Sequence, residues 1–183
     1  MSAQPLALPD LAPVTVRPVA LGDMPRLLAL CAEHAEGVAH ERLPYGGVRS
    51  GTLELVEALF DTPRRAWAWV AESGDELVGY VSATVDFSIL ERGYYVNLDY
   101  PFVRPAWQHH GVEPHLFKRA LALAANTGCL YVQLQAPNWR ANIAHLQAPS
   151  DANRVEMVRY VFPVGADESF ELLMTNESPV VRQ

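Results

Sequence analysis

The sequence predicts an α+β fold built on a mixed sheet. Three observations carry that prediction. Stretches with two-residue hydrophobic alternation surround one long stretch of helical periodicity, "PHLFKRALALAANTG". The alternating stretches before this helix follow one another through short turns, as in an antiparallel meander. The helix then joins a strand at 94–103 to another at 130–136. A strand–helix–strand crossover of that length implies one parallel pair inside an otherwise antiparallel sheet.

Each element has a local reason. Residues 1–13, with three prolines and no period, read as a flexible leader. "VTVRPV" (14–19) alternates and predicts a first strand. In "GDMPRLLALCAEHAEGV", Asp23 is a candidate N-cap and Pro25 falls in the first turn, where its missing N–H costs little. Leu27, Leu28, Cys31 and Ala35 then give a helical stripe. The Gly- and Pro-bearing stretch 37–51 reads as a loop, and "TLELVEALF" as a short helix ending before Thr62-Pro63. "AWAWVAE", the turn "SGDE", "LVGYVSATVDF" and "YYVNLDYPFV" predict the meander. Pro101 cannot donate to a ladder and points to a bulge or an unpaired edge. Leu116, Phe117, Ala120, Leu121 and Ala124 share one face of the long helix, and Gly128 is its expected stop. "CLYVQLQA" predicts a strand, "NWRANIAHLQA" a short helix, and "RVEMVRYVF" and "SFELLMT" two final strands. The expected organisation is a leader at 1–13, one domain at 14–175 and a frayed tail at 176–183.

Composition narrows the function. The chain has 183 residues, half of them hydrophobic, which suits a single packed domain. A net charge of −7 argues against a nucleic-acid partner, which calls for a basic stripe. No stretch approaches the roughly 18 apolar residues of a membrane span. The N-terminus carries neither the basic flank nor the apolar run of a signal peptide, and the two cysteines, Cys31 and Cys129, read as buried free thiols. A cytoplasmic protein, with no membrane partner, is the expectation.

The stretch "FVRPAWQHHGVEPHLFKRAL" (102–121) runs from a strand through a turn into a helix start, where unpaired amides can hold an anion. Glu113 places a carboxylate in the same place. A metal site in "HHGVEPH" is disfavoured, because Pro114 and the turn keep His109, Glu113 and His115 off one helical face and no zinc-type spacing occurs. Neither a G-x-S-x-G elbow nor a P-loop is present.

The phrases "RPVALGDMPRLLALCAEHA", "AWVAESGDELVGYVSATVDFS", "LDYPFVRPAWQHHGV" and "CLYVQLQAPNW", in that order and spacing, resemble the GNAT superfamily of acyl-CoA N-acyltransferases over residues 14–162. They look most like its small-amine branch, with diamine-acetyltransferase-like members. The resemblance implies a GNAT fold with a splayed parallel strand pair and acetyl-CoA, or another acyl-CoA, as cosubstrate. It implies a small amine acceptor and transfer within a ternary complex. A homodimer is expected only by analogy with the fold. The pyrophosphate would sit on Gln108, His109, His110, Gly111 and Val112, in a turn of the form Q/R-x-x-G-x-G/A, and the pantetheine along Phe102, Val103 and Arg104. Asp99 matches the acid that binds or deprotonates the amine, with Tyr95 and Asn97 on its face by period two. Glu33 and His34 would line the acceptor side.

Three residues depart from the family pattern. Glu113 replaces the last small residue of the turn. At ~5 Å and an effective dielectric of ~20 its charge would repel a phosphate by roughly 3 kcal/mol, about a hundredfold in affinity. Gln147 falls near the position of a tyrosine that protonates the leaving thiolate, which leaves His145 or a water to do so. Pro101 is an unusual way to make the expected bulge. A second reading follows from these: a divergent protein of the same fold that no longer uses acyl-CoA in the usual way, serving as a binding module or in a specialised pathway.

Overall fold

The structure, a computed structural model, describes residues 13–37, 51–99, 101–134, 146–147, 152–153 and 155. The elements in order are β1 (Val14–Pro18), α1 (Met24–Gly37), α2 (Thr52–Phe60), β2 (Trp67–Ser73), β3 (Glu76–Ser88), β4 (Gly93–Leu98), β5 (Phe102–Val103), α3 (Val112–Thr127) and β6 (Val132–Leu134). Short 3-10 turns at Leu21–Asp23 and Pro105–Trp107 lead into α1 and towards α3. Nearly all of the leader, the tail, nearly all of the two final strands and most of the expected helix from Asn138 lie outside the described residues.

The sheet order is β1-β2-β3-β4-β6, with β5 paired to β3. The expected parallel pair is present: Val96, Asn97 and Leu98 stand opposite Val132, Gln133 and Leu134. All other pairs are antiparallel. Alternation along the strands gives the sheet two different faces. On one, Trp69, Ala71, Val81, Ala83, Val96, Leu98 and Val103 meet Leu116, Phe117, Ala120 and Ala124 of α3. On the other, Ala68, Val70, Leu77 and Phe102 meet Met24, Leu27 and Leu30 of α1 and Leu59 of α2. Burying a side chain of this size is worth about 2 kcal/mol, so two such clusters hold the layers together.

Two helix ends differ in detail from expectation. Asp23 lies in the 3-10 turn, and its carboxylate accepts the Ala20 amide at 2.8 Å rather than capping α1. The long helix starts at Val112, two residues earlier than Pro114, because proline within a first turn interrupts no ladder bond. It ends as predicted: Gly128 is left-handed (φ +67°) and its amide closes on Ala124 and Ala125.

The strand expected at 94–103 is broken in the middle. Ala83 faces Leu98 and Tyr80 faces Phe102, so three steps on β3 are matched by four on its partner. That is one extra residue, a β-bulge. Fully buried Pro101 sits inside it, where no ladder donor is required. Gly79 makes the close approach possible: a Cβ there would lie 2.8 Å from the Phe102 carbonyl oxygen.

Candidate functional site

The bulge decides which backbone groups are available. The Arg104 amide donates to Val78 (2.9 Å), and Gly79 is the residue opposite Val103. Val103 is therefore in a non-hydrogen-bonded position towards β3, and its N–H and C=O point away from that strand. Its carbonyl accepts Nε2 of Gln108 at 3.0 Å. Its N–H faces the side on which β4 and β6 pair, and among the described residues that pairing reaches only as far as Leu98 and Leu134.

One sheet face carries a polar strip. Tyr80, Ser82, Thr84 and Asp86 alternate on β3 with core residues Val81 and Ala83 and half-buried Val85. Thr84 and Asp86 stand across from Asn97 and Tyr95 on β4, while the Asp99 amide donates to the Ser82 carbonyl at 3.0 Å. Ser82 Oγ also donates to the Asp99 carboxylate, and Thr84 Oγ1 to Asp86 at 3.3 Å. The Asn97 Oδ1 is buried and has no hydrogen-bond partner among the described residues. At the far end Tyr95 stacks on Tyr131, with ring centroids 5.2 Å apart.

α1 closes the near end of the strip. His34 stacks on Phe102 at 4.8 Å, and its Nδ1 lies 2.9 Å from the Tyr80 hydroxyl. The Cys31 thiol lies on the same side of α1, close enough to the phenol for each to affect the other's titration. Burial pushes Tyr80 well above its ordinary value, with Cys31 and Asp99 adding to the rise. Burial also raises Cys31, against a smaller opposing effect of Tyr80. Both groups are held neutral at pH 7, as hydrogen-bonding groups rather than a thiolate nucleophile or a phenolate base.

Beyond β5 the chain turns into α3 through two left-handed residues, His109 (φ +65°) and Gly111 (φ +78°). None of the amides of residues 109–113 finds a carbonyl partner among the described residues. A Cβ on Gly111 would meet nothing within 4 Å, so the space beside Gly111 is open. Consecutive free amides at a helix start form an anion cradle. Glu113 does not stand out over it in solvent. It is only 8% exposed and heads the buried stripe that continues through Phe117, Ala120 and Ala124.

The sequence profile described as the acetyltransferase (GNAT) family matches residues 26–145. The chain belongs to the GNAT acetyltransferase family. The match runs from α1 past β6 and so takes in the bulge, the polar strip and the amide cradle. Comparison with curated protein sequences finds no match. Solved structures share the GNAT fold at low identity. One is an aminoglycoside acetyltransferase from an uncultured soil metagenomic sample, in complex with sisomicin (16% identity, TM-score 0.63, 82% of this chain and 97% of that one). Another is a ribosomal-protein-alanine N-acetyltransferase from Brucella melitensis biovar Abortus (20%, 0.60, 84% and 100%). A third is a transcriptional regulator from Bacillus halodurans (18%, 0.59, 80% and 99%). Such likeness establishes the shared fold alone.

GNAT proteins generally use acetyl-CoA, and this chain's own residues bear on the fit. The open left-handed turn and its free amides suit a diphosphate, while the acidic Glu113 in the first turn of the same helix opposes it. The expected cradle residues divide by role. His109 and His110 are exposed, and Gly111 makes the turn. The Val112 side chain is in the core, so only its amide reaches the turn. The Gln108 side chain is turned back onto Val103. Of Phe102, Val103 and Arg104, only Val103 turns its amide away from β3.

Of the residues expected on the acceptor side, Tyr95, Asn97 and Asp99 share one sheet face, and His34 lies at the near end of that face against Tyr80 and Phe102. Glu33 instead forms a two-pronged pair with Arg104 (2.6 and 2.8 Å), which lowers its pKa, while Arg104 also reaches Glu76. His145 lies outside the described residues. Gln147 is exposed and left-handed (φ +49°). Residues that sequence reasoning passed over are Tyr80, Ser82, Thr84 and Asp86. Their signal was the alternation of "GYVSATVD", which reads from sequence alone as an ordinary solvent face. A separate cavity of about 550 Å³ opens beside Arg26, Asp75, Glu76 and Arg104. Both of its arginines are already matched by carboxylates, and it is not continuous with the strip's named residues.

Proposed function

We propose that the protein is an N-acyltransferase that moves an acyl group, in the first instance acetyl, from acyl-CoA to a small primary amine by direct transfer. The observation that carries this is the bulge. It sets the Asp99 carboxylate on the polar strip and the Val103 amide on the neighbouring edge, one on each side of a single backbone irregularity. Acyl-CoA, when bound, supplies an activated thioester carbonyl. The Val103 N–H is placed to hold the donor's pantetheine amide, and the amides of residues 109–113 to hold its diphosphate. Asp99 binds the incoming ammonium and takes up the proton it must lose to become nucleophilic, passing it to water. Ser82 fixes the orientation of that carboxylate through its hydroxyl. The neutral Tyr80 phenol, held by His34, forms the floor beside it. Gln147 has no proton to give, so no acid on this segment is assigned to the leaving thiolate.

Release of CoA from acetyl-CoA, measured over a panel of primary amines, tests the proposal. Asp99→Asn is expected to lower kcat/KM by about a hundredfold while leaving acetyl-CoA binding by calorimetry within about twofold. Equal rates in wild type and variant would remove Asp99 from the mechanism. The buried Glu113 favours one alternative, a GNAT-fold protein that has given up acyl-CoA. Absence of binding heat with millimolar acetyl-CoA would establish that alternative instead.

A further inference from the structure

The two ends of the proposed donor site, the Val103 amide and the amides that begin at His109, are joined by a short turn. Little in that turn fixes it to the strand it leaves. Arg104 is still part of the sheet, held by Val78 through its backbone and by Glu33 and Glu76 through its side chain. From Pro105 onwards the backbone bonds are local: the Trp107 amide donates to Arg104 (2.8 Å) and the Gln108 amide to Pro105 (3.3 Å). Trp107 packs against the core on the α3 side, but an apolar contact has no direction. At the far end His115 Nδ1 donates to the Gly111 carbonyl, 2.6 Å away, which ties the left-handed residue to its own helix and not to the sheet.

Among the described residues, one side-chain hydrogen bond joins this turn to β5. Gln108 Nε2 donates to the Val103 carbonyl at 3.0 Å, in a partly buried contact. That carbonyl belongs to the peptide whose amide, on Arg104, donates to Val78 at 2.9 Å. Val78 holds the peptide whether or not Gln108 does, so the effect of the Gln108 bond falls on the turn rather than on the strand. Gln108 is also the residue immediately before left-handed His109, where the run of free amides starts. The shape of that run is set locally, by His109 and Gly111 and by the His115 bond. Its distance from Val103 is what Gln108 controls.

The sequence places Gln108 among the residues expected on the pyrophosphate, and the structure turns its side chain the other way. We propose that Gln108 is a positioning residue, whose bond to the Val103 carbonyl sets the span between the pantetheine end and the diphosphate end of the donor site. This rests on the reading of both ends as donor contacts and adds the part that makes them act together. A ligand that reaches two subsites gains when they are held at a span that matches its length, because the second contact then forms within the first complex. A ligand that reaches only one of them gains nothing from the span.

Gln108→Met keeps the length of the side chain and removes its donor. Three ligands are compared by calorimetry, the weaker ones in competition with acetyl-CoA: acetyl-CoA itself, acetyl-pantetheine, and ADP, which carries the diphosphate without the pantetheine arm. Loss of one hydrogen bond predicts acetyl-CoA binding about fivefold weaker in the variant, with both fragments within about twofold of the wild type. In turnover the KM for acetyl-CoA rises and the KM for the amine does not. If either fragment weakens as much as acetyl-CoA, the side chain acts at that end alone and the spacing role is wrong. If all three ligands weaken together, Gln108 supports only the local fold, and the role is wrong again. Unchanged acetyl-CoA binding in the variant overturns the spacing role and leaves the acyltransferase reading in place. A wild-type protein that gives no heat with acetyl-CoA removes that reading itself, and the spacing role with it.

Discussion

Glu113 is where a single side chain bears most on function. From sequence it could be placed beside the phosphate position but not oriented, since helical periodicity alone leaves a first-turn residue free to face out or in. Its burial in the first turn of α3 keeps the residue beside the turn that would hold a diphosphate. Glu113→Gln keeps the shape and removes the charge. Acetyl-CoA is expected to bind the variant at least tenfold more tightly by calorimetry, and an unchanged Kd would mean that the carboxylate is not felt at the cradle. At this scale legibility was uneven. Tyr95, Asn97 and Asp99 could be assigned to one face because a strand's alternation is rigid. The stack of His34 on Phe102 could not, because it joins residues of α1 and β5 that no local pattern relates.

Among the elements, the β4–β5 join depends most on one small residue. Gly79→Ala would drive a methyl against a backbone carbonyl at 2.8 Å and against Val103 Cγ2 at 3.1 Å. Neither can move without disturbing the bulge, so a loss of about 2 kcal/mol in stability and a raised KM for acetyl-CoA are expected, by denaturant titration and steady-state kinetics. Gly93→Ala is the control. Its Cβ would meet only the end of the Leu130 side chain, which is more than half exposed and can swing aside. If both variants behave alike, the close approach at Gly79 has no special role. The meander, the crossover helix and the parallel pair were all legible, because their signals are long and periodic. The bulge was foreshadowed by Pro101, but the shift of Phe102–Val103 onto β3 was not, because register is set by packing across strands rather than by the residues of one strand.

Across the whole molecule, the first strand, the start of α1 and β2 are tied by one charge network, in which Arg17 binds Asp23 at 2.6 Å and Glu72 at 2.9 Å. The Arg17 hydrogen bonds hold the buried Asp23 carboxyl well below the usual carboxylate range. A group whose folded-state pKa is depressed contributes its full stability above its unfolded value, near 4, and loses it as pH falls through the folded value. Arg17→Ala is therefore expected to cost about 2 kcal/mol at neutral pH, lowering Tm by about 5 °C. The gap to wild type should narrow between about pH 5 and about pH 3, and a gap of constant size over that interval would rule out the pairing as its source. The break between β4 and β5 has one more consequence. Before it, odd-numbered positions (95, 97, 99) face the polar side of the sheet; after it, an even-numbered one does, with Phe102 under α1 and Val103 against α3. A regular ladder continued from Leu98 at unchanged chain length would set Phe102 opposite Gly79 and swap those two side chains. The aromatic ring would be forced into space fitted to valine, and the segment's parity, more than its composition, makes both layers fit.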